Sequence, residues 1–314
     1  MAVTLAQAAT LSQNSLQRGV IETFIQESPV LDRIPLLEIE GNAYAYNSEG
    51  TLPGVEFRAV NSAYAESTGV VNQATESLVI LGGDADVDTF IVQTRGNLND
   101  QRAVQTRMKV KAASYKFQDA FINGDTAVDA NSFDGLKKRL TGAQVVTAGG
   151  NGLAILGADD AARHAFLDKL DELIAAVRGN VDALYMNAGI LSRIKSSARR
   201  LTMYDQTTDT FGKTIATYNG IPLLDIGTAA DGTAIIPQTE TMGGSSVASS
   251  IYAVRFGQDE TDGGVTGLTN GGVQVKDLGE IDAKPVFRTR IEFFCGLGVF
   301  GGKAAARLQG VLAS

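Results

Sequence analysis

One histidine, His164, and one cysteine, Cys295, are the only residues of their kind in the 314-residue chain. They stand 131 positions apart, with no local signature around either and no third group placed to orient an imidazole. A solvated or capping histidine and an unrelated thiol fit better than a nucleophile–base pair. A single cysteine also excludes an intrachain disulfide and a multi-thiolate metal site, in keeping with a reducing compartment. Three other patterns half-match known sites. Gly296, Gly298 and Gly301 form G-x-G-x-x-G after a predicted strand. Only 13 residues follow Gly301, too few for a βαβ unit, and no acidic residue stands ~20 positions on to hold a ribose. Gly212, Lys213 and Thr214 end like a phosphate loop, but its opening glycine is replaced by Thr207. Asp84, Asp86 and Asp88 are spaced like the first ligands of a calcium loop, yet Thr89 takes the glycine position and Arg95 the glutamate position. These read as a glycine-rich turn, a strand and an acidic strand face. No catalytic residue, cofactor-binding residue or metal ligand is assigned, and the chain is expected not to be an enzyme.

The elements that would position any site follow from periodicity and breakers. With 44% apolar and 20% charged residues, the chain can bury one large or two medium cores. Thr4 and Gln7 at capping-box spacing, then Leu16, Val20, Ile21, Phe24 and Ile25 on one face, predict a helix over 4–28, stopped by Pro29. From 29 to 83, Pro35, Gly41, Gly50, Pro53, Gly54 and Gly69 punctuate extended pieces over 43–46 and 55–60. This reads as an arm and a long hairpin, and a two-stranded ribbon is marginal until it packs on something.

No proline and no glycine after Gly96 interrupt residues 95–122, which predict a long basic helix bearing Arg95, Arg102, Arg107, Lys109, Lys111 and Lys116. Residues 123–157 read as loop. Asp159 and Asp160 open an amphipathic helix that buries Phe166, Leu167, Leu170, Leu173, Ile174 and Val177 and ends at Gly179 and Asn180. A strand over 181–186, a helix over 188–200 and an Asn219-Gly220 turn of type I′ follow. Val286, Arg288, Arg290 and Glu292 alternate with Phe287, Thr289, Ile291 and Phe293, a strand returning to a sheet.

Charge is uneven. The chain holds 35 acidic and 27 basic residues, an acidic balance that argues against a main task of gripping nucleic acid. Residues 1–100 contain only Arg18, Arg33, Arg58 and Arg95 as bases against 13 acids, an acidic surface that could pair with basic patches of neighbouring copies. No basic region precedes an apolar stretch at the amino terminus, and no apolar run reaches the ~18 residues of a membrane span. No membrane partner is expected.

A series of short segments in order carries a resemblance over nearly the whole chain. They are residues 4–40; 44–67, with Gly50-Thr-Leu-Pro-Gly-Val-Glu-Phe-Arg58; 95–122; Phe121-Ile-Asn-Gly-Asp125; Phe133-Asp-Gly-Leu136; Leu184-Tyr-Met-Asn187; Phe211-Gly212; Tyr218-Asn-Gly-Ile-Pro222; Ser250-Ile-Tyr-Ala-Val-Arg-Phe-Gly257; Arg288-Thr-Arg-Ile-Glu-Phe-Phe293; and Ala304-Ala-Ala-Arg-Leu308. The order is similar to that of tailed double-stranded DNA bacteriophage major capsid proteins of the Hong Kong 97-like fold. The resemblance implies an α+β fold with an N-terminal arm (1–40), an E-loop region (41–83), a peripheral domain with a spine helix (84–158), an axial domain (159–270) and return strands to the peripheral domain and C-terminus (271–314).

It further implies a structural subunit that self-assembles as hexamers and pentamers into an icosahedral head enclosing double-stranded DNA. The location implied is the virion, with assembly in the bacterial host cytoplasm. Inter-subunit contacts are expected through Pro53, Gly54, Phe57 and Arg58 of the E-loop and Arg102, Arg107 and Lys109 of the spine helix. Partners would be other copies, portal, scaffold and possibly cement proteins, and DNA by weak non-specific contact. The family's lysine–asparagine crosslink from the E-loop has no lysine to use here, since the first is Lys109; a non-covalent or cemented shell is implied. The E-loop begins too early for a fused scaffolding segment, so a separate scaffold, or none, is implied. An encapsulin-like shell enclosing a cargo enzyme is the alternative within the fold, and a nucleotide-dependent enzyme the alternative outside it.

Overall fold

A computed structural model describes residues 3–4, 28–95, 101–200, 205–208 and 214–314. Apart from its two ends, the helix expected over 4–28 lies outside the described residues. Thr4 itself belongs to a short strand, β1 (Val3–Thr4), paired antiparallel with β2 (Pro35–Glu38). A hairpin of β3 (Ala43–Thr51) and β4 (Val70–Ser77) forms a two-stranded sheet of its own. Next come β5 (Val79–Asp88), α1 (Thr89–Arg95) and the long α2 (Gln101–Asn123). Helix α2 covers 101–122 of the helix expected over 95–122, Arg95 is the last residue of α1, and 96–100 lie outside the described residues. The expected loop over 123–157 contains α3 (Leu136–Arg139) and the short strands β6 (Val145–Thr147) and β7 (Leu153–Ala154). No strand covers 55–60, which the flanking Pro and Gly residues mark as extended in the sequence.

The following stretch alternates helix and strand: α4 (Asp160–Ala176), β8 (Ala183–Met186), α5 (Ala188–Arg200), β9 (Asp205–Thr208), β10 (Thr214–Tyr218), β11 (Ile221–Asp225), β12 (Glu240–Met242) and β13 (Ser245–Val254). Helix α4 starts where Asp159 accepts a hydrogen bond from the Ala162 amide at 2.9 Å. Helix α5 starts where Asn187 Oδ1 accepts one from the Gly189 amide at 2.8 Å. Between β10 and β11 both turn residues have positive φ, 50° at Asn219 and 78° at Gly220, as a type I′ turn requires. Two long strands, β14 (Val265–Ile281) and β15 (Lys284–Val299), and a final strand, β16 (Ala305–Leu312), complete the chain.

Two larger sheets organise these elements. One has the order β1-β2-β14-β15-β5, the other the order β6-β16-β13-β8-β11-β10-β9, with β12 and β7 attached to β13 and β16. Leu184, Met186, Ile251, Ala253 and Leu308 share a core with Phe166, Leu170 and Leu173 of α4 and Ile190 and Ile194 of α5. The alternate residues Ala183, Tyr185, Tyr252 and Val254 join a second core that continues into the five-stranded sheet through Val273, Ile291, Phe293 and Leu297.

Helix α2 joins the two sheets. Its Thr106, Val110, Ser114, Phe117 and Phe121 are buried at helical spacing. The Phe121 ring meets Tyr185 at 6.2 Å and the Phe117 ring meets Phe293 at 5.9 Å. Val30, Leu31 and Ile34, expected in an arm, are fully buried in the same core, and Tyr185 Oη donates to the Pro29 carbonyl at 3.2 Å. Each such large side chain contributes roughly 1.5–3 kcal/mol by leaving water.

Candidate inter-subunit surface

The β3–β4 hairpin is clamped at its base. Tyr46 and Phe300 pack edge to face with centroids 4.7 Å apart, and Ile39 and Leu268 complete this small core. Tyr46 Oη lies 3.4 Å from both Glu76 Oε1 and the Val299 carbonyl, and its one proton can serve either. Burial and the Glu76 carboxylate together push the Tyr46 hydroxyl pKa up. Arg139 grips the same carboxylate with two nitrogens, Nη1 to Oε1 at 2.5 Å and Nη2 to Oε2 at 2.6 Å.

The clamp is supported from behind. Gly135 donates to the Gly124 carbonyl at 2.8 Å, and a Cβ on Gly124 would meet the Phe133 and Ala120 carbonyls at 2.3 and 2.5 Å. The segments 121–125 and 133–136, separate in the sequence, are therefore one turn. Across it Lys138 Nζ bridges Asp125 and Asp134 at 2.6 and 2.9 Å, and Arg139 Nε donates to the Asp134 carbonyl at 2.7 Å. Desolvation raises the Asp134 pKa, but hydrogen bonds from the Thr126 amide, Lys138 and the Thr126 hydroxyl outweigh it and hold the carboxyl at about 2. Glu76 and Arg139 were not singled out in the sequence, because nothing local reveals a pair 63 residues apart.

Beyond the clamp, residues 52–69 stand in solvent. Pro53, Gly54, Phe57 and Arg58 are all exposed, together with Leu52, Val55, Val60 and Tyr64. Phe57 has a relative exposure of 107% and Val55 of 95%, values of side chains with no intrachain cover. The loop nevertheless has internal fastenings. Ser67 Oγ donates to the Gly54 carbonyl at 2.9 Å, the Ala65 amide to Glu56 Oε1 at 2.7 Å, and Arg58 Nη1 to the Ser62 carbonyl at 3.2 Å. The Arg58 guanidinium also lies 5.2 Å from the Tyr64 ring centroid. Gly54 and Arg58 thus shape the loop, whereas Phe57 is presented by it.

The three spine residues differ in surroundings. Arg102 reaches Asp277 Oδ1 at 2.6 Å and lies 5.1 Å from the Phe287 ring centroid, so it contacts the β14–β15 hairpin of its own chain. Lys109 lies against β5: a Cβ on Gly83 would sit 3.3 Å from its Cδ, Cε and Nζ. Arg107 is exposed and makes no side-chain ion pair among the described residues. Close by in the fold, Ile80 of β5, Phe90 and Ile91 of α1 and Val104 and Met108 of α2 are exposed apolar side chains.

None of the half-matching motifs builds a chemical site. Asp84 and Asp86 lie opposite Arg290 and Arg288 on paired strands. Arg290 holds Asp84 at 2.7 and 2.9 Å, and Arg288 holds Asp86 at 2.7 and 2.6 Å. The hydrogen bond from the facing arginine is the main cause holding each carboxyl low. Three acids of the first third, Glu76 included, therefore pair with bases of the same chain.

Cys295 is buried and desolvation pushes its thiol up to about 12, while His164 is exposed on α4. Gly296 and Gly298 lie within β15, where Cβ atoms would press on the Ser77 carbonyl at 3.2 Å and the Phe300 ring at 2.8 Å; they serve sheet packing. Gly212 and Lys213 lie outside the described residues. Among the described residues no cluster of three or more His, Cys, Asp or Glu side chains could hold a metal ion.

Residues 12–157 match the family described as Major capsid protein GP7. The holo-SrpI encapsulin complex from Synechococcus elongatus has a chain of similar fold at 19% identity, with a TM-score of 0.65 over 91% of this chain and 88% of that one. The capsid of the native GTA particle aligns at 15% identity and a TM-score of 0.62, covering 91% and 90%. A chain of Mycobacterium phage Bobi aligns at 14% identity and a TM-score of 0.56, covering 98% of both. No curated protein matches significantly. The fold is the Hong Kong 97-like capsid fold.

Proposed function

From the match of residues 12–157 to a major capsid protein family and the capsid fold of the whole chain, we infer that this is a structural major capsid protein of the virion. It assembles with copies of itself. We assign 1–40 to an N-terminal arm, 41–83 to the E-loop region, 84–158 to a peripheral domain around α2, 159–270 to an axial domain and 271–314 to the return strands. Because β16 pairs with β13, β6 and β7, we also assign 145–147, 153–154 and 305–312 to the axial sheet. Hexamers and pentamers closing into an icosahedral head around double-stranded DNA, with portal, scaffold and cement proteins as further partners, are the arrangement proposed. The role is non-enzymatic.

One observation carries this reading beyond the comparisons: loop 52–69 exposes Leu52, Val55, Phe57, Val60 and Tyr64 on a hairpin whose base is clamped. Apolar exposure of this kind on an ordered element marks an interaction site, and a second copy would supply the missing cover. In that contact Phe57 is the anchor, with Pro53, Gly54 and Arg58 fixing the loop, and Arg107 on the spine is open to a neighbour, whereas Lys109 lies along β5 of its own chain.

Sedimentation of the purified chain, with and without a co-expressed scaffold candidate, followed by negative-stain imaging of the fastest fraction tests the reading. Closed shells or capsomer rings are expected. A homogeneous small oligomer in every condition would overturn it. Nuclease-protected DNA in the shells is the expected content; a protein cargo in its place would make the shell encapsulin-like.

A further inference from the structure

Helix α5 differs in charge from α4, the helix that shares its core. Ile190, Ile194 and Ser197 are buried and define its inner arc. At 3.6 residues per turn the outer arc is filled by Ser192, Arg193, Lys195, Ser196, Arg199 and Arg200, exposed or partly exposed. The helix contains no acidic residue. Among the described residues, none of its four cationic side chains enters an ion pair or hydrogen bond. Six arginines elsewhere, Arg102, Arg139, Arg163, Arg288, Arg290 and Arg307, face carboxylates within the chain. The neighbouring α4 exposes Asp160, Asp168, Asp171 and Glu172, so the contrast lies within one layer. Arg199 and Arg200 sit in the last turn, where cations favour the helix dipole; that leaves Arg193 and Lys195 unexplained.

We propose that the outer arc of α5 is a phosphate-contact face, holding the backbone of double-stranded DNA without reading its sequence. Backbone contact needs cations and hydroxyls and nothing else, and this arc offers four of the first and two of the second. A protein partner would call for an apolar or aromatic centre, and the arc has none. The acidic balance of the chain, net −8, makes the rest of the surface repel DNA, so contact is confined to this strip and stays weak enough for the DNA to move. The inference deepens the container reading by naming the face that meets the contents.

The test uses the full chain, a short linear duplex of mixed sequence, and two variants of equal charge change. One carries Arg193→Gln, Lys195→Gln, Arg199→Gln and Arg200→Gln; the control carries Lys116→Gln, Lys137→Gln, Lys284→Gln and Lys303→Gln, all exposed positions. Assembly is scored in parallel by imaging. The parent chain is expected to lose on the order of a hundredfold in affinity between about 50 and 200 mM salt, as ~4 released counterions require.

The α5 variant should bind at least about tenfold more weakly at low salt with a shallower slope, while the control binds like the parent and both assemble. Equal loss in the two variants would reduce the effect to net charge and overturn the proposal, as would parental binding by the α5 variant. If the α5 variant alone fails to assemble and its DNA affinity is unchanged, the face meets an acidic surface of another copy and the proposal fails. A parent that never forms rings or shells, yet binds DNA through α5, would overturn the container reading and leave this one standing.

Discussion

Two long antiparallel hairpins dominate the molecule, and they are stabilised in opposite ways. In β14–β15 the inner face buries Val273, Ile291, Phe293, Cys295 and Leu297, the strands continue into β2 and β5, and the outer face is tied by the Asp84–Arg290 and Asp86–Arg288 pairs. The buried part of this hairpin is covered by its own chain. Among the described residues the β3–β4 hairpin pairs with no other strand; of those whose burial is described only Tyr46, near its base, is buried, and the hairpin ends in a loop whose apolar side chains face water. One ladder is a finished part of a core. The other is half of a contact whose second half is a neighbouring subunit.

Breaking the finished hairpin should cost the most. Phe293→Ala removes a fully buried ring packed on Phe117 and is expected to destabilise the subunit by about 3–5 kcal/mol, read as a lowered midpoint of denaturant unfolding. A loss under ~1 kcal/mol would show that the core can collapse around the cavity and would blur the contrast. Arg139→Leu acts where the two regimes meet. It leaves Glu76, whose side chain is 16% exposed, without its partner, at a cost of about 1–3 kcal/mol. Hydrogen exchange should rise across β3 and β4 and stay unchanged in β14 and β15. An increase spread evenly over both hairpins would mean that the clamp serves the whole subunit.

A smaller, pH-dependent effect comes from the turn behind the clamp. Asp134 has a folded pKa of about 2, below the ~3.9 of an unfolded aspartate. Its contribution is therefore complete above pH ~4 and is lost as pH falls through the folded value. Asp134→Asn should lower stability by about 1 kcal/mol at neutral pH, and the gap to the parent should close between pH ~4 and ~2. A gap independent of pH would assign the effect to turn geometry in place of charge.

Legibility in the sequence followed the range of the interactions. The Asn219-Gly220 turn, helix α5 and the alternation of 286–293 rest on neighbours within a few residues, and the structure has each of them. The acidic strand face at Asp84 and Asp86 was legible as a strand, but its partners Arg288 and Arg290 were not, being 202 and 206 residues away. Arg102, Arg107 and Lys109 looked equivalent on one basic helix. Only the fold shows that Arg102 faces Asp277 of its own chain and Arg107 faces solvent. Val30, Leu31 and Ile34 read as part of an arm because two prolines flank them, and tertiary packing placed them at the meeting point of both sheets.

Phe57→Ala should change the isolated subunit least. A side chain with a relative exposure of 107% loses no intrachain cover when truncated, so the unfolding midpoint should stay within about 0.5 kcal/mol of the parent. Assembly is where the deletion acts. If the ring fills a pocket on the next copy, each contact loses roughly 2–3 kcal/mol of burial, and a closed shell repeats that loss at every E-loop. Folded subunits or isolated capsomers should then replace shells in the sedimentation profile. Two outcomes would break the comparison between the hairpins: shells forming at parental yield would remove Phe57 from the interface, and an unfolded monomer would mean that the loop belongs to the subunit's own core.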